Sequence, residues 1–366
     1  MAAKVVFIVN CITQKRCMKR VHEFVDNGYE VEVYGFTRSG EDFFVSDRMT
    51  YEVIGCIAPT MSYARRLLYV ARAVRQVFRK HRGKDVLYYV FSLDMALSSY
   101  AWLRKVRYVY EESDLMHTYV GNAVARDLLE RMDRHIIGRS LLTVLTSEGF
   151  AQYHWGGTMP DNVHVITNRL DRDILQYECR QKPMPDISRL RIGFVGIVRS
   201  EAVMRLAETL LNDLPGCEVH FYGKVLQIFD SECRQLARHE KCRFHGKYSN
   251  PADLPDIYAG MDVLLSAYDA RSVNVRYADP NKLYESIYFE TPIIVSSGTF
   301  LATQVERLGV GRAVDVNDNS SVRGLMRWLT DGSMESVIRH IKGMDKMMAV
   351  NINDAFFKKL KSRYGI

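Results

Sequence analysis

Short apolar runs rich in β-branched and aromatic residues alternate along the chain with longer stretches whose apolar positions recur every three or four residues. The first pattern is that of strands buried on both faces, the second that of helices covering them. Together they predict an α/β protein built on parallel sheets. In the first half the strands fall at 5–9, 30–36, 51–57, 85–91, 107–111, 142–145 and 164–166. A polar stretch at 168–189, with Pro183 and Pro185 among charged residues, reads as a linker or hinge. Strands resume at 191–195, 218–222, 243–245, 263–266, 292–296 and 313–316, with helices such as 200–212 and 251–259 between them. The last stretch, 333–364, is helical and polar. The chain thus divides into 1–170, a hinge at 171–190, a second sheet domain at 191–332 and a helical tail at 333–366. Two such halves imply a cleft, and ligands of open α/β sheets bind outside the carboxyl ends of the strands.

Composition narrows the class. With 366 residues, 47% hydrophobic and 25% charged, the chain can bury a core in about two domains. Seven scattered cysteines without a C-x-x-C pair suit reduced thiols in a cytosolic protein. The start lacks the layout of a secretory signal, and no apolar stretch is long enough to span a bilayer. A cytoplasmic protein is expected, peripheral at the inner face of the cytoplasmic membrane if it meets lipid. The net charge of +7, from 50 Lys and Arg against 43 Asp and Glu, is mild, so its distribution matters more. At 61–84 it is one-sided: Arg65, Arg66, Arg72, Arg75, Arg79, Lys80, Arg82 and Lys84 occur with no acidic residue. Apolar positions between them follow helical spacing. A basic amphipathic helix can lie on an anionic membrane, or it can pack on the first sheet with a solvated basic face. No nucleic-acid motif accompanies it, and no nucleic-acid partner is expected.

The segment 279–297 points most directly to chemistry. Asp279 can cap a helix, Pro280 fits its first position, and Asn281, Lys282, Leu283, Tyr284 and Glu285 complete the first turns. A lysine there opposes the helix dipole unless an anion is also present, which suggests a phosphate site. Glu285 lies on the same face as Lys282 and could accept hydrogen bonds from sugar hydroxyls; a surface Lys–Glu pair is the plain alternative. Three further strand ends carry glycine beside a cation or aromatic ring. These are Gly196 with Arg199, Gly223 with Lys224, and His245-Gly246-Lys247-Tyr248. Glycine lets backbone approach a ligand, and arginine can meet a diphosphate. In the first half, Glu112, Asp114 and His117 follow a strand end. One of them could serve as a general base on an acceptor hydroxyl, or Ser113 or Asp114 could only cap a helix over 115–139. The dinucleotide fingerprint and the Walker A loop are absent. Asp171-Arg172-Asp173 lies in the hinge, away from a nucleotide-binding strand. His239, Cys242 and His245 lack a fourth zinc ligand. No metal and no cofactor are expected.

In order, the pieces Gly196, Tyr222-Gly223, Phe244-His245-Gly246, Tyr258-Ala259-Gly260-Met261-Asp262, Pro280-Asn281-Lys282-Leu283-Tyr284-Glu285 and Thr291-Pro292-Ile293-Ile294 resemble the donor domain of GT-B glycosyltransferases. The likeness is to family 4 and related bacterial polysaccharide enzymes and covers about 191–316; the first half is similar in layout only. The resemblance implies a GT-B fold, two Rossmann-like domains with parallel sheets facing across a cleft, and a tail crossing back to the N-terminal domain. It implies metal-independent transfer of a hexose-type sugar from a nucleotide diphosphate donor to a lipid-linked or polysaccharide acceptor. In its terms Glu285 binds ribose, the Leu283 and Tyr284 amides with Lys282 and Arg199 hold the diphosphate, and His245–Tyr248 line the base pocket. Tyr277 stands where the family's first paired glutamate belongs, which leaves the sugar and the stereochemical outcome open. In inverting relatives an acidic base sits in the N-terminal domain, and Asp114 is the candidate. A GT-B sugar-nucleotide epimerase and a non-catalytic binding protein are the alternatives.

Overall fold

The computed structural model describes residues 3–38, 49–58 and 60–364. The chain forms two compact units, Met1–Thr167 with Asn353–Ile366, and Asn168–Ile352.

In the first unit the strands are β1 (Lys4–Val9), β2 (Glu30–Arg38), β3 (Thr50–Ile57), β4 (Leu87–Phe91), β5 (Tyr108–Glu112), β6 (Leu142–Leu145) and β7 (Val163–Val165). They lie in the order β3-β2-β1-β4-β5-β6-β7, every pair parallel. β4, β5 and β6 are buried along their whole length; β4 and β6 are apolar but for Thr143, while β5 ends in the buried carboxylates Glu111 and Glu112. One core cluster gathers Phe7, Phe24, Tyr89 and Phe91 with Phe356, Phe357 and Leu360 of the helix Asp354–Tyr364. Phe24 meets Phe357 edge-on at 5.0 Å between centroids. Beside them Arg20 is buried and ion-paired to Glu111 at 3.0 Å and to Glu23, while Asn353 donates to Glu23 at 2.8 Å.

The second unit contains β8 (Arg191–Val195), β9 (Glu218–Tyr222), β10 (Cys242–Gly246), β11 (Val263–Ser266), β12 (Ile293–Ser296) and β13 (Gly311–Val314), in the parallel order β10-β9-β8-β11-β12-β13. Its strand residues alternate between two cores. Ile192, Phe194, Val263, Leu265 and Ile294 enter one, and Val195, Leu264, Ile293 and Val295 enter the other. The strand order reverses between β8 and β11, so the segments after Val195 and Ser266 border the crevice where such sheets bind ligands.

Three expectations change. The stretch 168–190 is no free hinge, because it packs on the second unit. Tyr288 Oη donates to the Ile174 carbonyl at 2.9 Å. Lys182 Nζ donates to the carbonyls of Tyr258 and Met261 at 3.1 and 3.2 Å and to Thr291 Oγ1 at 2.5 Å. The tail is also divided: the helix Ser333–Lys342 belongs to the second unit, and only 353–366 joins the first. Finally, 115–139 is not one helix. A 3-10 turn at Met116–Tyr119 precedes a helix at Ala123–Arg139, whose cap is Asn122, accepting from the Ala125 amide at 2.9 Å.

The basic stretch forms the helix Tyr63–Lys80. Val70, Val74, Val77 and Phe78 are buried, and Phe78 stacks on Tyr88 and Trp102. Its apolar stripe is therefore core, while Arg65, Arg72, Arg75 and Arg79 are exposed beside Leu68. Among the described residues no helix is long and apolar enough to cross a membrane.

Candidate functional site

The second unit gathers most of the expected donor-site residues at the carboxyl edge of its sheet. Gly196 follows β8 with φ +140°, and Gly223 follows β9 with φ +132°. The Gly196 amide donates to the Tyr222 carbonyl at 2.8 Å, and the Gly223 amide to the Gly246 carbonyl at 2.6 Å. A Cβ on Gly223 would lie 1.9 Å from the Gly196 carbonyl oxygen. Here glycine is required both by the backbone angle and by the approach of two loops. At Gly196 a Cβ would meet only Lys282 Cε, at 3.9 Å, which places the first loop over that lysine.

Glu285 and Lys282 stand at the start of the helix Lys282–Tyr288. Glu285 is completely buried, and its carboxylate accepts from Lys282 Nζ at 2.5 Å, Tyr258 Oη at 2.5 Å and Asn281 Nδ2 at 2.8 Å. Lys282 is buried with it. Taking both charges from water is costly unless they are paired and hydrogen-bonded, and these contacts meet that condition. Tyr258 and Tyr248 have their phenol pKa values raised, first by burial and then by the Glu285 charge. Exposed Arg199 holds its guanidinium 5.8 Å from the centre of the Tyr268 ring. Burial raises the Tyr268 pKa, with Arg199 opposing it. Lys224, His245 and Lys247 are exposed at the same edge. His245 stacks on Tyr222 at 4.3 Å between centroids and lies 3.0 Å from the Nδ1 atom of His220.

Two details of this segment differ from expectation. Asp279 does not cap the helix; its Oδ2 accepts from Tyr284 Oη at 2.6 Å, and the cap residue Asn281 is itself helical in backbone. The Leu283 and Tyr284 amides, expected to hold a diphosphate, are already bonded to the Pro280 and Asn281 carbonyls at 3.3 and 3.0 Å. The tight first turn satisfies them, so they do not point at a ligand. Tyr268 and the bond from Tyr258 to Glu285 have no counterpart among the expected site features. Tyr258 lies 27 residues from Glu285, and no spacing rule links them.

In the first unit the structure separates the three candidate bases. Asp114 lies past the end of β5, partly exposed, 3.2 Å from Arg16. Glu112 and His117 are wholly buried, so neither is presented to an acceptor hydroxyl. Glu112 is 2.9 Å from His154 Nε2, and His117 Nδ1 is 3.3 Å from Asp133. Burial, then the neighbouring Asp133, raises the Glu112 carboxyl well above its usual range. Burial lowers His154 to about 4. Asp133 had a sequence signal: it shares a buried helix face with Ile136 and Ile137.

No family model matches the chain, and no curated protein matches its sequence. Solved structures do. Sucrose-phosphate synthase from Thermosynechococcus elongatus aligns with TM-score 0.72 at 12% identity, over 99% of this chain and 98% of that one. HepE from Anabaena, solved in complex with UDP and glucose, aligns with TM-score 0.67 at 15% identity, over 98% and 99%. WaaG, a glycosyltransferase involved in lipopolysaccharide biosynthesis, aligns with TM-score 0.61 at 13% identity, over 99% and 100%. The expected GT-B fold is thereby established for the chain as a whole.

Proposed function

We propose that this chain is a glycosyltransferase that binds a nucleotide diphosphate sugar on its second unit and moves a hexose-type sugar to a hydroxyl of a glycan acceptor. The observation that carries this reading is the carboxyl edge of the second sheet, where glycine-ended strands converge on Lys282 and Glu285 within a GT-B chain. The nearest binding groups are Arg199 for the diphosphate, His245–Tyr248 for the base and Glu285 for ribose hydroxyls. For Glu285 to reach a ribose, its bonds to Lys282 and Tyr258 must rearrange, and that exchange would free Lys282 to meet phosphate. HepE was solved with UDP and glucose, which favours this donor class. A lipid-linked or polysaccharide acceptor is the finer reading. It is favoured by the part that WaaG plays in lipopolysaccharide biosynthesis and by the exposed Arg65, Arg72, Arg75 and Arg79, which suit an anionic membrane surface through charge rather than insertion.

The test is thermal stabilisation of the full chain by a panel of nucleoside diphosphates and their sugar conjugates, in wild type, Arg199→Ala and Glu285→Gln. A ligand that binds the native state alone, at a hundred times its Kd, stabilises by about 2.7 kcal/mol. One nucleotide class should shift the wild type, with the shift reduced in both variants. No shift with any member of the panel would remove the reading. Asp114 is the proposed acceptor base, as the one of the three candidates that is partly exposed. Asp114→Asn should lose turnover by a factor of 100 or more, roughly the general-base contribution, with donor affinity kept. Full activity in that variant would reject the role.

A further inference from the structure

The buried cluster of the first unit stands apart from that function and has an unusual charge. Glu112 at the end of β5, Asp133 from the helix Ala123–Arg139 and His154 from the helix Glu148–Trp155 each offer one ligand atom, and all three atoms lie within 4.8 Å of one another. Glu112 and Asp133 are 0% exposed, as is His117, and His154 is 4% exposed. Among the described residues neither carboxylate meets a lysine or arginine; their ionic neighbours are the two histidines. Two buried carboxylates without a cation are costly, so the cluster must take up either protons or a metal ion.

Asp133 Oδ2 and His117 Nδ1 face each other 3.3 Å apart without the alignment of a hydrogen bond, and His154 Nδ1 is buried without a partner. One divalent cation neutralises both carboxylates at once, where a single shared proton neutralises only one. Around Asp133 a second layer is already built. Tyr110 Oη donates to Asp133 Oδ1 at 2.9 Å, and Tyr153 Oη lies 3.2 Å from His117 Nε2, so Asp133 is fixed from two sides. Metal ligands are held in this way by hydrogen-bonded neighbours. The donor set mixes nitrogen and carboxylate oxygen, which suits zinc and disfavours magnesium. Donor atoms around a zinc ion at ~2.1 Å stand roughly 3–4 Å apart, so closing the observed cluster needs only small side-chain movements.

We propose that Glu112, Asp133 and His154 bind one divalent cation of the zinc class, with His117 orienting Asp133. The ion ties the end of β5 to the two helices that follow it in the chain. It is a structural site. It asks nothing of the transfer reaction and stands whether or not the donor reading holds.

The test uses the full chain expressed in zinc-replete medium and purified without chelator. Elemental analysis should find one zinc per chain in the wild type and none in Glu112→Gln or His154→Gln, with all seven cysteines unchanged. Stripping the wild type with a chelator should lower its Tm. Zinc should restore the Tm and magnesium should not. A wild type that carries no zinc, and whose Tm ignores both chelator and added zinc, overturns the proposal in favour of a shared proton. Variants that keep the wild-type zinc content overturn it too, since the metal would then sit elsewhere. Should the variants fail to fold, the metal content and chelator response of the wild type decide alone.

Discussion

Removing Glu285 alone from the Lys282–Glu285 pair should cost at least as much as removing both. Glu285→Gln keeps the acceptor for Asn281 Nδ2 but turns an amide toward Lys282 Nζ and Tyr258 Oη, both within 2.5 Å of the lost oxygen. That leaves a lysine whose side chain is 7% exposed with its charge unanswered. Breaking a buried pair from one side costs about 3–5 kcal/mol. Lys282→Met leaves Glu285 charged but still bonded to Tyr258 and Asn281, so its cost should fall at the lower end of that range. The double variant has no stranded charge and should be at least as stable as Glu285→Gln, giving a coupling of about 2 kcal/mol or more. Urea unfolding of the full chain measures this, with Trp328, the tryptophan of the second unit, as reporter in a Trp102→Phe, Trp155→Phe background. Single costs that add to within about 0.5 kcal/mol would refute the picture of a coupled buried pair.

Two further outcomes follow from the same unit. Gly223→Ala forces a positive φ on alanine and drives its Cβ against the Gly196 carbonyl, whereas Gly298→Ala, at φ +69°, meets nothing within 4 Å. The second should cost about 1–2 kcal/mol and the first clearly more, with nucleotide binding lost; equal melting temperatures would contradict the contact. Lys182 is held on carbonyls and a hydroxyl, and burial lowers its pKa from 10.5 to about 8. Its folded pKa lies below its unfolded one. The resulting stability is therefore fully present above 10.5 and lost as pH falls through about 8, by at most about 3 kcal/mol. The slope of stability against pH between those values should flatten in Lys182→Met, and an unchanged slope would assign it to other groups.

Strands were legible because parallel strands buried on both faces are predominantly apolar. β6, β8, β9 and β11 have the bounds expected of them. The glycine-ended strands were legible for a similar reason, since a positive φ leaves a residue type as its trace. What the sequence concealed depends on contacts distant along the chain. Lys182 looked like part of a solvated linker because its acceptors lie 76 to 109 residues away. Glu112 and His117 looked like edge residues because their burial is created by Tyr153, His154 and Asp133. The break before Ala123 had a local signal, Gly121-Asn122.

The first unit's core includes Phe356, Phe357 and Leu360, which lie beyond the whole of the second unit in the chain. During synthesis, then, residues 1–167 emerge from the ribosome without the rings that finish their core. The second unit, being continuous, has everything it needs by Ile352. The later-encoded unit is self-sufficient, while its predecessor depends on residues 354–364 to cover Phe24. A chain truncated after Ile352 should accordingly keep the second unit resistant to protease and leave the first open to it and to chaperone binding.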